Sequence, residues 1–151
     1  MTKILFVCYG NICRSTMAEF LLKDLVEKRG IAKDFYIESA ATSTEEIGNP
    51  VHYGTKRVLD RLNIDCSKKR ARQIVKADYD KFDYIIGMDE LNRRTLKNYY
   101  NGDPQGKISL LMDYTDNPRE VADPWYTHNF EATFNDVSEG LEALLNFIKK
   151  S

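Results

Sequence analysis

The chain is an α/β protein by sequence: a Rossmann-like parallel sheet of four strands with helices on both faces. Ile4–Val7 lacks the polar alternation of a half-exposed strand, so it suits a strand covered on both sides, and three further short runs read as strands. Segments of helical period separate the runs, which is the pattern of βαβ crossovers. At 151 residues, 42% hydrophobic and 30% charged, the composition fits one folded core, and a single domain over 1–151 is expected.

Ile4-Leu5-Phe6-Val7 is the first strand. From Thr16 to Arg29 the residues Met17, Ala18, Phe20, Leu21, Leu22, Leu25 and Val26 make a wide apolar stripe. Thr16 and Glu19 fit a capping box, and Gly30 fits a stop. Phe35–Ser39 reads as the second strand, and Val51, Thr55, Val58, Leu59 and Leu62 place a helix over roughly 51–62. Tyr84–Met88 is the third strand, with Asp89 as cap of the helix after it. Asn101-Gly102-Asp103-Pro104 breaks that helix, and Ile108–Met112 is the fourth strand. Residues 113–128, with Pro118 and Pro124, have no period and read as a long loop. Phe130, Phe134, Val137, Leu141, Leu144, Leu145 and Ile148 keep one apolar face through a final helix.

Net charge is −1, with excess Lys and Arg in the first half and excess Asp and Glu in the second. That balance points to neither nucleic acid nor an anionic membrane. Three cysteines, Cys8, Cys13 and Cys66, are too few and odd for a disulfide framework. There is no CxxC pair, and His52 and His128 stand alone as surface or loop histidines, so neither zinc nor another cofactor is expected. The initial apolar run is too short for a secretory or spanning segment, and a reducing, cytoplasmic setting is the expectation.

The chemistry concentrates between Cys8 and Ser15. The first strand delivers Cys8 into Tyr9-Gly10-Asn11-Ile12-Cys13, which closes on Arg14-Ser15 at a helix start. A helix N-terminus and a nearby Arg favour the thiolate, the nucleophilic form. The same amides attract phosphate oxygens, and Gly10 can take the backbone angles that such a curl needs. Arg14 can grip two oxygens through its planar fork. In parallel sheets ligands sit at the carboxyl ends of strands, where Cys8 falls. The pattern describes a nucleophile inside an oxyanion cradle. The alternative is a buried, inert Cys8 beside a solvated Arg14, which the flanking strand and helix weaken.

VCYGNICRS followed by Met17-Ala18-Glu19 resembles the signature of the low-molecular-weight protein tyrosine phosphatases. Asp123-Pro124-Trp125-Tyr126 resembles that family's second motif, about 115 residues later in the chain. Ser39-Ala40-Ala41-Thr42-Ser43, Ala71-Arg72-Gln73 and Met88-Asp89-Glu90-Leu91-Asn92 extend the similarity. The resemblance implies the phosphotyrosine phosphatase I-like fold and metal-independent hydrolysis of phosphotyrosine and small aryl phosphates. By it, Cys8 attacks phosphorus, and Arg14 with the amides from Tyr9 through Gly10, Ile12 and Cys13 to Ser15 holds the oxygens. Asp123 acts as general acid and then base, Ser15 donates to the leaving sulfur, and Asn11 braces the loop. Trp125 and Tyr126 flank the substrate ring, and Cys13 traps an oxidised Cys8 as a disulfide. Implied partners are tyrosine-phosphorylated proteins, with phosphate and other oxyanions as ligands or inhibitors, for a monomer or weakly self-associating enzyme.

Three positions depart from the family pattern. Thr16 replaces the proline usual after Arg-Ser. Glu45 stands where many members place an aromatic wall of the pocket, and a carboxylate there would repel acidic peptides. Lys69 stands where members often carry a histidine that braces the Asn11 side; with Lys68, Arg70 and Arg72 it reads as a solvated basic run. Competing functions are arginine phosphatase, where Thr is typical at the position of Ile12, and arsenate reductase, which needs further cysteines after Cys66. A redox sensor or a phosphate-binding module would not need Asp123.

Overall fold

Strand β1 (Thr2–Cys8) is the spine of the sheet. Ile4, Phe6 and Cys8 enter one apolar layer while Leu5 and Val7 enter the other, the period-2 alternation of a strand buried on both faces. The computed structural model describes residues 1–150. In it β1 pairs in parallel with β2 (Phe35–Ala41) and with β3 (Tyr84–Gly87). Strand β4 (Ile108–Leu110) joins β3 on the outside, giving the order β2-β1-β3-β4.

Helices α1 (Arg14–Lys28) and α6 (Phe130–Lys149) cover one face, packing Met17, Leu22, Val137, Leu141 and Leu144 against Ile4, Phe6 and Ile86. Helix α4 (Glu90–Tyr99) helps cover the other, where Leu96, Tyr100, Phe82 and Ile74 meet Leu5, Val7 and Ile85. Helix α2 (Tyr53–Arg61) adds a smaller cluster of Val51, Leu59, Ile64 and the buried Cys66. Gly30, at φ 71, ends α1 as expected, with the Ile31 amide donating to the Val26 carbonyl at 2.9 Å. Among the described residues no helix is long and apolar enough to cross a membrane.

Several local expectations give way. Helix α1 begins at Arg14, and Thr16 and Glu19 do not form a capping box. The Cys13 carbonyl accepts from Met17 N and Thr16 Oγ1, so the loop itself starts the helix and frees Glu19 to turn inward. Strand β4 stops at Leu110, and Leu111–Tyr114 forms a 3₁₀ turn tightened by Asp113 Oδ2 on the Leu110 amide. Leu111 and Met112 are apolar because they are buried with α6, not because they are strand. The 113–128 stretch contains helix α5 (Pro124–Thr127), and α3 (Asp78–Lys81) precedes β3. At four residues each, neither is long enough to show a period.

From β1 the chain goes to β2 on one side, while β3 and β4 lie on the other. The strand order therefore reverses beside β1, and the crevice at the carboxyl ends receives Cys8 from β1 and Asp89 from just beyond β3.

Candidate active site

The loop from Cys8 to Arg14 curls because one residue takes the left-handed conformation. That residue is Asn11, at φ 61, rather than Gly10. Gly10 contributes space instead: a Cβ there would lie 3.2 Å from Glu46 Cγ. The strain at Asn11 is offset by its side chain, which is buried and fully bonded. Its Oδ1 accepts from the Arg72 amide at 3.2 Å, and since an amide N–H only donates, the amide orientation is determined. Nδ2 then donates to Ser15 Oγ at 2.9 Å and to Ser39 Oγ at 2.8 Å.

These directions propagate to the sulfur. Ser39 donates its only hydroxyl hydrogen to Glu19 Oε1 at 2.5 Å, so it must accept from Asn11. Ser15 likewise accepts from Asn11, which leaves its hydrogen for Cys8 Sγ at 3.0 Å. The Asn11 backbone N–H donates to the same sulfur at 3.3 Å. Two donors thus aim at Sγ, as a site for a negatively charged sulfur requires.

Lys69 closes the far end of this chain and corrects the expectation of a solvated basic run. Only 12% of its side chain is exposed; Nζ donates to the Ser39 carbonyl at 2.9 Å and lies 3.4 Å from Glu19 Oε1. Burial pulls Lys69 below the ordinary lysine range, and the Glu19 charge opposes that shift. Arg72 is also engaged, with Asp78 at 3.0 Å and Glu38 at 3.2 Å, while Arg70 bonds backbone carbonyls. Within this run of like charges Lys69, Arg70 and Arg72 each find a different set of carboxylates or carbonyls, while Lys68 is exposed.

Arg14 is 4% exposed. Its Nη2 lies 2.9 Å from Asp89 Oδ2 and 3.3 Å from Asp123 Oδ2, and Nη1 reaches the Val121 carbonyl at 3.4 Å. Burial alone would lower its proton affinity, but Cys8, Asp123 and Asp89 outweigh burial and raise it. Asp89 serves two elements, since Oδ1 accepts from Asn92 N to cap α4 while Oδ2 orients Arg14. Asp123 likewise caps α5 through Oδ1 on the Trp125 amide at 3.0 Å, leaving Oδ2 toward Arg14. Pro124 at the first helical position suits that turn.

Three loop carbonyls are tied outward, so they do not oppose an anion. Tyr9 O accepts from Ser43 N and Oγ, Ile12 O from His52 N, and Cys13 O from Thr55 Oγ1. His52 is part of this support rather than a bystander: Nδ1 accepts from Gly54 N to cap α2, and its ring stacks on Tyr53 and Phe130. Burial lowers its proton affinity, in keeping with an acceptor nitrogen. The Cys13 thiol is pushed up to about 12 by burial and then by the charges of Cys8 and Asp123.

A cavity of about 370 Å³ opens over this loop. It is lined by Cys8, Tyr9, Gly10, Ile12, Cys13, Arg14, Glu45, Asp123, Trp125 and Tyr126, all site candidates from the sequence. Asn11 and Ser15 stand behind them, buried. Glu46, Asp89, Leu91 and Asn92 also line the cavity and were not among those candidates. For Asp89 a signal existed: a carboxylate directly after a buried strand, at the end where ligands sit. Glu46 carried none, being one of two adjacent glutamates in an irregular segment.

The family model described as "Low molecular weight phosphotyrosine protein phosphatase" matches residues 3–151. The protein named low molecular weight protein-tyrosine-phosphatase YfkJ, from Bacillus subtilis, is 41% identical over 152 residues, covering 99% of this chain and 97% of that protein. The crystal structure of YfkJ superposes with a TM-score of 0.94, covering 99% of this chain and 96% of that one. SP-PTP, a low molecular weight protein tyrosine phosphatase from Streptococcus pyogenes, is 42% identical with a TM-score of 0.87 over 97% and 92% of the two chains. DARP, a drosophila arginine phosphatase, is 31% identical with a TM-score of 0.90 over 98% of each chain. With a cysteine-arginine loop at the carboxyl end of β1 and a full-length family match, this chain belongs to the low molecular weight phosphotyrosine protein phosphatases.

Proposed function

We propose that this protein hydrolyses phosphotyrosine in proteins, and small aryl phosphates, through a cysteinyl-phosphate intermediate. The observation that carries the reading is convergence: Asp123 Oδ2 lies 3.3 Å from Arg14, in the cavity that Cys8 lines.

In the first step the Cys8 sulfur attacks phosphorus, forming the P–S bond as the P–O bond to the aryl group breaks. Asp123 gives its proton to the departing phenolate oxygen. Arg14 and the loop amides hold the three terminal phosphate oxygens, whose charge is spread in the transition state. In the second step Asp123 takes a proton from water as the water oxygen bonds phosphorus. The P–S bond breaks, and phosphate leaves with the sulfur anion held by Ser15 and the Asn11 amide. Asn11, Glu19, Ser39 and Lys69 act through Ser15 as positioning residues. Trp125 and Tyr126, 68% and 81% exposed, flank the substrate ring from outside the loop.

Inorganic phosphate, sharing the cradle, competes with substrate. Cys13 is the resolving thiol: peroxide converts the Cys8 thiolate to a sulfenic acid, and the Cys13 sulfur displaces hydroxide to give the Cys8–Cys13 disulfide. Three free cysteines suit a reducing, cytoplasmic setting. Ile12, a bulky apolar residue on the cavity wall, favours an aryl over an arginine phosphate.

The test is hydrolysis of an aryl phosphate by reduced protein in chelator, compared with Cys8→Ser. Full loss in the variant and no metal requirement are expected; retained activity overturns the mechanism. Phosphotyrosine, phosphoserine and phosphoarginine peptides assayed in parallel identify the substrate class.

A further inference from the structure

The cavity is charged unequally from floor to rim. Its one cation among the described residues, Arg14, lies at the bottom, within 2.9 and 3.3 Å of Asp89 and Asp123. Two more carboxylates, Glu45 and Glu46, line the same cavity, and neither forms an ion pair among the described residues. Arg14 is thus already engaged by the carboxylates of the floor, and the negative charge of the rim is left unmatched.

The rim is held rather than loose. At one end Ser43 N and Oγ donate to the Tyr9 carbonyl at 3.1 and 2.8 Å. At the other, Gly48 N donates to Ala71 O and Ala71 N to Asn49 O, each at 2.9 Å. Between these anchors Glu46 is half-buried against Gly10, its Oε1 accepting from Asn49 Nδ2 at 2.8 Å. Glu45 is exposed, its backbone N–H donating to Ser43 Oγ at 3.4 Å, and its carboxylate raises the proton affinity of the Tyr9 hydroxyl. The anchored segment thus places two carboxylates beside the mouth through which a phosphorylated side chain must enter.

We propose that Glu45 and Glu46 make this phosphatase select phosphotyrosine sites flanked by Lys or Arg and discriminate against sites flanked by Asp or Glu. The inference rests on the phosphatase function above and adds the chemistry of the partner. A phosphate that reaches Arg14 leaves the adjacent peptide residues at the cavity mouth, within a Debye length of both carboxylates. A cation there meets an unpaired opposite charge, and an anion meets two like charges. The pair acts at an exposed rim, so the effect is moderate: about three- to tenfold in kcat/KM between neutral and charged flanks.

The experiment compares three phosphotyrosine peptides differing only in their flanks: Lys, Ala or Asp on both sides. At low salt the order Lys above Ala above Asp is expected, with a Lys-to-Asp ratio of about tenfold or more. Raising the ionic strength to about 0.5 M should bring that ratio toward one, because exposed charges are screened. Glu45→Gln with Glu46→Gln should compress the low-salt ratio to within about twofold, and Glu45→Lys with Glu46→Lys should invert it. Each ratio is taken within a single protein, so partial loss of activity in a variant does not disturb it. Hydrolysis of all three peptides at similar rates, a preference for Asp, or a preference surviving both high salt and the double substitution overturns the proposal. Hydrolysis of none, with aryl phosphate also untouched, overturns the phosphatase reading and this one with it.

Discussion

Replacing Lys69 by Met removes the cation from beside a buried carboxylate while nearly preserving side-chain length. The Lys69 and Glu19 side chains are 12% and 4% exposed, with Nζ 3.4 Å from Oε1. At that separation an effective dielectric of about 20 gives roughly 5 kcal/mol of gross attraction. Part of it is spent on desolvating Lys69, whose proton affinity burial lowers. Glu19 also keeps Lys23, 2.6 Å from its other oxygen but 44% exposed. Breaking a buried pair by deleting one partner costs about 3–5 kcal/mol, and the surviving Lys23 contact should hold the loss near 2 kcal/mol. For a domain of this size that lowers Tm by about 4–8 °C, read by circular dichroism and checked by urea titration. Because Glu19 orients Ser39, and Ser39 holds Asn11, kcat for an aryl phosphate should fall by roughly three- to tenfold. In a Glu19→Gln background the same substitution should cost at least about 1 kcal/mol less. A loss below about 0.5 kcal/mol, typical of a solvated lysine, refutes the reasoning.

Asp123→Asn should lower kcat on a phenyl phosphate by about a hundredfold or more, yet far less on a substrate whose leaving group needs no proton; equal losses contradict a general acid. Cys13 gives a pH signature. Its proton affinity rises from an ordinary 9.0 in the unfolded chain to about 12 in the fold, so the folded state keeps a proton that the unfolded state releases. The associated stability is present below pH 9 and is lost as pH rises from about 9 toward 12, with a slope of at most ~1.4 kcal/mol per pH unit. Cys13→Ser should flatten that alkaline slope in urea titrations, and an unchanged slope contradicts the assignment. Treatment with peroxide should give a Cys8–Cys13 disulfide by mass spectrometry, reversed by thiol; irreversible oxidation of Cys8 alone removes Cys13 from that role. Gly140→Ala sets helix propensity against packing: a Cβ would lie 2.5 Å from the Cγ of buried Leu111. Overpacking at about 1–3 kcal/mol outweighs a gain of about 1 kcal/mol, so net destabilisation is expected in thermal unfolding.

The features legible in the chain alone rest on information that is local or repeated. Strand burial shows as unbroken apolar runs, α6 as a stripe kept over many turns, and the end of α1 as Gly30, because each depends on residues near in the chain. The Cys8–Arg14 loop is also local, with Cys8, its amides and Arg14 contiguous. Asp123 was legible only through the resemblance, since an Asp before Pro is by itself a turn residue, and it does cap a turn. Tertiary structure alone decided the partners of each charge. Lys69 and Arg72 belong to one basic run, yet the fold sends Lys69 to Glu19 and Arg72 to Asp78. Glu19, which fits a cap by spacing, is instead the buried anchor of the Ser39–Asn11–Ser15 chain. Asp89 and Glu46 enter the cavity because strand order and the 43–49 anchors bring them there. Periodicity reports which face of an element is dry, whereas an ion pair is settled by distances of about 3–4 Å between segments remote in sequence.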